Sequence, residues 1–216
     1  VFYFNAEFGA RHPDREEIVR VGSVNVITLQ NTYKTPTIYQ AAQAQAYPQL
    51  VEDVRSTVQK ILVWQKNDRL QVIIQHPLWQ PVAEMLQQEF GARIIADYLD
   101  DFADFDHADK ENVRDMAVRM LKNADLTLAT SVYLAEKARQ SGSSKVELLR
   151  NGTDCAHFAC AAKQEKRAAG PWVVGYYGVL STWFDCGKIE ALSRSDLDIC
   201  IRLVGVSDET VRRRLQ

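Results

Sequence analysis

The sequence predicts an α/β protein built on a parallel sheet. Short apolar runs alternate along the chain with longer segments in which apolar residues recur every three or four positions, and this alternation is typical of parallel strands joined by helices. A second observation is residues 145–185, where two apolar runs each break at glycine and are joined by a polar segment. We interpret this stretch as the end of one α/β domain and the start of another.

The bulk composition is that of an ordinary globular protein. The chain has 216 residues, of which 46% are hydrophobic and 25% charged, which is enough for a sizeable core in one large or two smaller domains. The formal net charge of −2 argues against a nucleic-acid partner, which would show as a basic excess. No apolar run approaches the length of a membrane span and no signal-peptide pattern is present. The cysteines, which we interpret as free thiols, are typical of a reducing cytosol, so we expect a cytoplasmic protein.

Six strands are predicted in the first domain and two in the second, with helices between them. In the first domain the strands cover residues 1–4, 24–29, 70–74, 92–98, 126–130 and 145–149, and the charged residues 11–22 are predicted to be a loop. The second domain is predicted to have strands at 172–177 and 198–204, a helix at 186–194, and a last helix that starts at Ser207.

The predicted helices of the first domain have clear end signals. A short helix is expected at 37–47, and Pro48 fits the first turn of a longer one. Further helices are expected at 81–90, ended by Gly91, and at 132–141, capped by Ser131 and ended by Gly142. Another carries one apolar face formed by Val113, Met116, Ala117, Met120 and Leu121.

Candidate ligand-binding residues lie at predicted strand ends, where open α/β sheets bind their ligands. His76 either donates to a ligand or is a turn residue before Pro77. The carboxylates of Asp97, Asp100, Asp101, Asp104 and Asp106 either bind a metal or act in acid–base chemistry, or they form a solvated loop. His107 is expected to start a helix in solvent.

Two glycine motifs follow predicted strands. In Asn151-Gly152-x-Asp154 the Asn-Gly pair tolerates a positive φ and allows a sharp turn, while Asp154 can accept hydrogen bonds from backbone N–H groups and Phe158 can anchor the loop. The alternative is an ordinary strand-to-loop turn.

The second motif, Gly175-x-x-Gly178, lets backbone N–H groups approach an anion, aided by the helix N-terminus that follows. The expected contacts are Gly175, Gly178, Val179 and Ser181. The motif is neither a dinucleotide-binding fingerprint nor a P-loop.

The four cysteines lie in the last third of the chain without a C-x-x-C pair, and we interpret them as free thiols. Cys155 and Cys160, with His157 between them, lack a visible fourth ligand for a metal.

In chain order, a set of short motifs resembles the group 1 (family 4-like) glycosyltransferases of the GT-B fold. The matching segments cover about residues 70–206 and are Asp97-Tyr-Leu-Asp-Asp-Phe102, Ala124-Asp125 with Ala129-Thr-Ser131 and Leu134, Leu148-Leu-Arg-Asn-Gly-Thr-Asp154 with Phe158, Val174-Gly-Tyr-Tyr-Gly178 with Trp183-Phe-Asp185, and Leu203-Val-Gly205.

The resemblance implies two Rossmann-like domains that face a cleft. Residues 1–154 would be the acceptor-side N-terminal domain, 155–170 a linker, and 171–216 the first βαβα part of the nucleotide-sugar-binding domain. It implies transfer of a sugar from a nucleotide-sugar to a glycan or lipid-linked acceptor, as in cell-surface polysaccharide synthesis, with no metal and no further cofactor. Asn151, Gly152 and Asp154 would form the exit from the first domain.

The chain departs from this family in ways that bear on activity. The cleft histidine of many members is absent at Asp100 and Asp101, and Thr182 to Asp185 stand where many members have a basic residue with glycine. The family's diphosphate-binding basic residue and paired glutamates belong beyond Gln216, and a first βα unit is expected before Val1. We therefore expect the 216-residue chain to be inactive by itself.

Two other functions fit the same motifs. One is a nucleotide-sugar epimerase of the same fold, which would act without an acceptor, and the other is a non-catalytic nucleotide-binding or interaction module. A peripheral contact with the membrane and a homodimer formed through an exposed strand edge are further expected partners.

Overall fold

The computed structural model describes residues 2–5, 17–28, 47–65, 69–104, 110–159, 170–181 and 183–215. The chain divides into two compact units, Val1–Thr153 and Asp154–Gln216. The predicted helix at 37–47, the residues Asp106, His107 and Cys160, and most of the predicted linker lie outside the described residues.

The described residues of the first unit contain strands, α-helices and two short 3₁₀ helices, at Pro77–Trp79 and Phe102–Asp104. Its strands are β1 (Phe2–Asn5), β2 (Glu17–Val21), β3 (Val24–Thr28), β4 (Gln71–Ile74), β5 (Arg93–Tyr98), β6 (Leu126–Ala129) and β7 (Val146–Leu148). Its α-helices are α1 (Tyr47–Gln65), α2 (Gln80–Phe90), α3 (Lys110–Asn123) and α4 (Val132–Gln140).

Four strands form a parallel sheet in the order β4-β5-β6-β7. Because all neighbours in this sheet are parallel, the four carboxyl ends lie along one edge, as the sequence predicts. Asp125 fixes the start of β5, since its carboxylate accepts a hydrogen bond from the N–H of Ile94 at 2.7 Å and its own N–H donates to the Ile94 carbonyl at 2.9 Å.

The first strands do not join that sheet, which corrects the prediction of one parallel sheet over residues 1–152. They form a three-stranded sheet, β1-β3-β2, in which β2 and β3 are antiparallel. A two-residue turn connects them, with Gly22 at a φ of 60°, which suits the twist of a tight hairpin. The loop prediction for residues 11–22 is wrong at Glu17–Val21: the charged residues of the segment favour a loop, but Ile18, Val19 and Val21 are β-branched strand formers, and β2 pairs with β3 at the edge of the sheet.

The helices bury the faces that their apolar spacing predicts. Leu50, Val54 and Val58 of α1 are buried, and all five residues of the predicted apolar face of α3 are buried as well. The helix ends are also as expected: Gly91 follows α2 at a φ of 61°, and the Ser131 hydroxyl accepts a hydrogen bond from the N–H of Leu134 at 3.2 Å. One continuous core joins α1 and α2 to both sheets.

Where the structure describes the second unit, it has one parallel strand pair and three helices. These are α5 (Cys155–Ala159), β8 (Trp172–Tyr177), α6 (Cys186–Ser193), β9 (Ile199–Val204) and α7 (Glu209–Leu215), with β8 parallel to β9. Its core consists of Leu180, Cys186 and Val211, with partly buried aromatic and leucine side chains packed against them.

Two predicted boundaries in this unit are wrong. Residues 155–159 form helix α5 rather than linker, because the Asp154 carboxylate accepts a hydrogen bond from the N–H of His157 at 2.9 Å and caps the helix. The last helix is capped by Asp208 instead of Ser207, since Asp208 accepts a hydrogen bond from the N–H of Val211 at 2.8 Å. Within the described residues, no helix is long and apolar enough to cross a membrane.

Candidate functional site

The parallel sheet of the first unit gathers the predicted strand-end residues along one edge. β4 ends before His76, β5 ends before Asp100 and Asp101, and β7 ends before Asn151. Backbone hydrogen bonds extend the pairing past the strands: the N–H of Thr130 donates to the Tyr98 carbonyl at 3.4 Å, and the Thr130 hydroxyl donates to the Leu99 carbonyl at 2.9 Å.

His76 is a half-buried turn residue. Its Nδ1 accepts a hydrogen bond from the N–H of Leu78 at 3.1 Å and caps the 3₁₀ helix Pro77–Trp79. Its ring lies 4.4 Å from the ring of Phe102, at an interplanar angle of 57°. Because Nδ1 is an acceptor, a neutral ring carries its proton on Nε2. Of the two interpretations of His76, this geometry supports the turn, and contact with a ligand stays a prediction.

Asp101 is held by a group of side chains that we call the Asp101 cluster: Tyr98, Asp101, Asp104, Tyr133 and Lys137. The hydroxyls of Tyr98 and Tyr133 donate to its carboxylate at 3.3 and 3.1 Å, and the Lys137 ammonium forms an ion pair with it. Lys137 also lies 3.5 Å from Asp104. The cluster ties the segment after β5 to α4, so Asp101 is engaged in structure, whereas Asp100 is exposed.

The pKa values in the cluster follow from burial and from this pairing. Burial, and then the negative charge of Asp101, raise the pKa of Tyr98 well above its ordinary value. Burial acts to lower the pKa of Lys137, but the hydrogen bond and the charge of Asp101 outweigh it and raise that pKa. Burial likewise works against ionisation of Asp104, yet Lys137 lowers its pKa overall.

We expect the free energy of unfolding of the first unit to fall as the pH rises above about 10, where a tyrosine in an unfolded chain ionises. The native state keeps the Tyr98 proton while the unfolded state loses it, so stability decreases by up to about 1.4 kcal/mol per pH unit. Urea unfolding at pH 9 to 11 measures this slope. Tyr98→Phe should show a shallower slope, and equal slopes in both proteins would contradict the prediction.

Replacing Lys137 with methionine should lower the free energy of unfolding by about 1–3 kcal/mol, because Asp101 loses its cation while its side chain is only 13% exposed. Lys122→Met is the control, since Lys122 is exposed on α3. Adding Asp101→Asn to Lys137→Met should recover part of the loss, because it removes the uncompensated charge. Equal stabilities of the Lys137→Met and Lys122→Met variants would show that the ion pair contributes nothing.

The segment after β7 does not form the turn that its sequence predicts. Gly152 has no left-handed φ, and no described atom lies within 4 Å of where its Cβ would be, so its backbone does not require glycine. Phe158 is 64% exposed, which contradicts its predicted role as an anchor. The Asp154 carboxylate does accept a hydrogen bond from a backbone N–H, that of His157, in capping α5.

In the second unit, residues 178–181, which we call the Gly178 loop, follow the carboxyl end of β8. Gly178 has a φ of 151°. Gly175 lies inside β8, opposite Arg202, without a left-handed φ, so the predicted glycine turn contains only Gly178. Leu180 is buried in the core of the unit, and the Tyr176 hydroxyl donates to the Val179 carbonyl at 3.2 Å.

The N–H groups of the loop alternate between those that have a hydrogen-bond partner among the described residues and those that have none. Those of Gly178 and Leu180 donate to the carbonyls of Val204 and Val206 at 3.0 and 2.8 Å. Those of Val179 and Ser181 have no hydrogen-bond partner among the described residues. Of the four residues predicted to bind a phosphate, Val179 and Ser181 are thus the two with N–H groups available to a ligand.

The helix that follows the loop does not offer a bare N-terminus. The Asp185 carboxylate caps α6 by accepting a hydrogen bond from the N–H of Lys188 at 3.1 Å. That backbone hydrogen bond, joined by the Lys188 side chain, lowers the pKa of Asp185. The attraction that this helix N-terminus was expected to exert on an anion is therefore opposed by the negative charge of the Asp185 carboxylate.

The candidate metal ligands are the histidine, cysteine, aspartate and glutamate side chains of the described residues. Within the ranges that the structure describes, no three histidine, cysteine, aspartate or glutamate side chains lie close enough together to hold a metal ion. Cys155 is exposed, Cys186 is buried and Cys200 is half-buried, all as free thiols.

No protein-family model and no curated protein sequence matches the chain, but solved structures do. It is similar to sucrose-phosphate synthase from Thermosynechococcus elongatus, with a TM-score of 0.60 and 18% identity over 99% of this chain and 55% of that one. It is also similar to OtsA in its apo form, with a TM-score of 0.55 and 14% identity over 99% of this chain and 61% of that one. These neighbours are GT-B glycosyltransferases. The fold is of the GT-B kind.

A third neighbour agrees with this GT-B assignment. It is a trehalose-6-phosphate protein from E. coli bound with UDP-2-fluoro glucose, with a TM-score of 0.54 and 12% identity over 99% of this chain and 61% of that one. The likeness confirms the predicted α/β fold with Rossmann-like elements. The match covers 99% of this chain but only 55% of the length of sucrose-phosphate synthase and 61% of that of OtsA. Membership of the group 1, family 4-like branch stays a prediction.

Sequence reasoning missed Lys137 and Tyr133, and it named Gly205 only as part of the motif Leu203-Val-Gly205, without a role. Lys137 and Tyr133 reach Asp101 across more than 30 residues of chain, and no local pattern signals such a contact. Gly205 had a usable signal, because it follows β9 at the position where Gly178 follows β8.

Proposed function

We propose that this protein is a glycosyltransferase that transfers a sugar from a nucleotide-sugar donor to a hydroxyl group of a glycan or lipid-linked acceptor. Support comes from the ordered motifs over about residues 70–206 and from structural similarity to glycosyltransferases along 99% of the chain. One of the neighbours is bound with UDP-2-fluoro glucose, which supports a donor of the same chemistry.

The observation that carries the proposal is the Gly178 loop at the carboxyl end of a parallel strand. Its Val179 and Ser181 N–H groups are available to an anion, and Gly178 allows the close approach. We assign the donor diphosphate to these two groups. Their role in the reaction is to stabilise the charge that develops on the leaving diphosphate.

These contacts alone bind a donor weakly. A hydrogen bond to a charged group contributes about 1.5–3 kcal/mol, whereas a dissociation constant of 1 µM needs about 8 kcal/mol. Contacts to the base and ribose of the donor, and a basic side chain that binds the diphosphate, have to supply the remaining binding free energy. The 216-residue chain is therefore expected to bind nucleotide-sugars weakly and to transfer no sugar by itself.

The acceptor is assigned to the strand-end edge of the first unit. Asp100 is exposed there and His76 lies on the neighbouring strand end, while Asn151, Gly152 and Asp154 lead out of the unit. The Asp101 cluster keeps the segment that carries Asp100 in place. The proposal includes no metal, a cytoplasmic location, peripheral contact with the membrane when the acceptor is lipid-linked, and a homodimer through the β8–β9 pair, a sheet of two strands among the described residues.

The test is an assay of the full gene product that carries this sequence, with UDP-, GDP- and dTDP-sugars and a panel of glycan and lipid-linked acceptors. The proposal expects release of a nucleoside diphosphate that depends on both donor and acceptor. Conversion of a nucleotide-sugar to its epimer without an acceptor would favour the epimerase. Binding of nucleotide without any turnover would favour the non-catalytic module, and both outcomes would overturn the proposal.

A further inference from the structure

Parallel pairing continues past the ends of β8 and β9 into the segments that follow them. The N–H groups of Gly178 and Leu180 donate to carbonyls at the end of β9 and just after it, which we call the β9 side. In the other direction, the N–H of Asp208 donates to the Leu180 carbonyl at 3.0 Å. Leu180 and Ser207 form a parallel bridge. The Gly178 loop and residues 205–208 are thus one paired structure.

The closest approach between the two segments is at Gly205. A Cβ built on Gly205 would lie 1.8 Å from the Gly178 carbonyl oxygen and 2.8 Å from its carbon. Both are backbone atoms, so no side-chain rotation relieves the contact. Gly205 also has a φ of 149°, a conformation that residues with a Cβ rarely adopt. This site therefore requires glycine for two reasons, space and backbone conformation.

The far end of the loop has its own contact with the same segment. Asp208 accepts a hydrogen bond from the N–H of Val211 at 2.8 Å, and this bond, with a smaller contribution from the Ser181 hydroxyl, lowers the pKa of the Asp208 carboxyl. The loop is thus paired at Gly178, whose N–H donates to the Val204 carbonyl, and at Leu180, whose carbonyl accepts from the N–H of Asp208. Between these points the alternation of N–H groups is fixed.

We propose that Gly205 is a positioning residue for the Gly178 loop: it admits the Gly178 carbonyl, and so keeps the Val179 and Ser181 N–H groups directed away from the β9 side and toward the ligand. The geometric part of this proposal stands on the backbone contacts, while the ligand, a nucleotide diphosphate, rests on the proposed function. A side chain at 205 displaces the Gly178 carbonyl and disturbs the pairing that sets the alternation.

The first test measures hydrogen–deuterium exchange of single amides in the unliganded 216-residue chain. Gly205→Ala should speed exchange at Gly178 and Leu180 by about 10-fold or more, because it weakens their bonds to the β9 side. Gly170→Ala is the matched control, since Gly170 has a φ of 151° but no described atom within 4 Å of its Cβ position. It should leave both rates within about twofold of the wild-type values. Unchanged exchange in Gly205→Ala would overturn the proposal.

A measurement on the wild-type chain covers the case in which Gly205→Ala does not fold. Nuclear magnetic resonance detects scalar coupling across a hydrogen bond, here between the Gly178 nitrogen and the Val204 carbonyl carbon. Observed coupling supports the paired loop, and its absence overturns the proposal.

The second test separates this proposal from the proposed function. In the full gene product, Gly205→Ala should lower kcat/KM for the nucleotide-sugar by about 10-fold or more with a raised donor KM, whereas a loss of folded protein would lower kcat and leave the KM unchanged. Faster exchange at Gly178 and Leu180 with an unchanged donor KM would confirm that Gly205 sets the geometry of the loop. It would also show that the donor does not bind at this loop, and so contradict the proposed role of Gly205.

Discussion

Replacing Gly178 with valine is expected to lower glycosyl transfer at low donor concentration by about 100-fold or more, equivalent to about 2.8 kcal/mol. Gly178 has a φ of 151°, and a Cβ there would lie 2.9 Å from the Tyr176 hydroxyl oxygen. That hydroxyl donates to the Val179 carbonyl, so moving it aside also releases the loop. The expected loss is that of at least one hydrogen bond to a charged ligand, which contributes about 1.5–3 kcal/mol.

The measurement is nucleoside diphosphate release by the full gene product at donor concentrations below the KM. Gly170→Val is the control because Gly170 shares the φ of Gly178 without a described neighbour within 4 Å. It should keep most of the wild-type rate. Wild-type donor use by the Gly178→Val variant would mean that the donor does not bind at this loop.

Replacing Leu121 with alanine should destabilise the first unit by about 2–5 kcal/mol, the range for a large-to-small change in a packed core. Leu121 lies on the buried face of α3 and is 2% exposed, in the main core of the unit. Neighbouring side chains are held by helices and strands on several sides, so the cavity closes only in part.

Val118→Ala is the matched control, because Val118 lies on the same helix and is 41% exposed. We expect that change to cost less than about 1 kcal/mol. Urea unfolding followed by amide exchange resolves the two units separately, and exchange in the second unit should not change. A loss in Leu121→Ala no larger than that in Val118→Ala would contradict the position of α3 in the core.

The local sequence pattern predicts the helices and strands that have one buried and one exposed face. The apolar face of α3 and the strand β5 could be read from sequence because a half-buried helix or strand imposes a period on its residues. β2 could not be read in this way, since it is an exposed edge strand whose pairing depends on the turn at Gly22. The sequence predicts a turn at Gly175 because glycine often ends a strand. In the structure, Gly175 pairs with Arg202 inside β8.

The candidate site was only partly predictable for a related reason. The sequence places Asp101, Asn151 and Gly178 at strand ends, and the parallel topology brings those of the first unit to one edge. What each residue does there depends on contacts far along the chain. The Lys137 partner of Asp101 and the approach of Gly205 to Gly178 arise only when separate elements pack.

The most direct test of donor binding at the Gly178 loop is a titration of the ¹⁵N-labelled 216-residue chain with UDP-, GDP- and dTDP-sugars, followed by nuclear magnetic resonance. Weak, millimolar binding is sufficient for this measurement. We predict the largest amide shifts at Val179 and Ser181, with smaller shifts at Gly178 and Leu180, whose N–H groups donate to the β9 side. Saturating shifts that leave residues 178–181 unchanged would contradict the account.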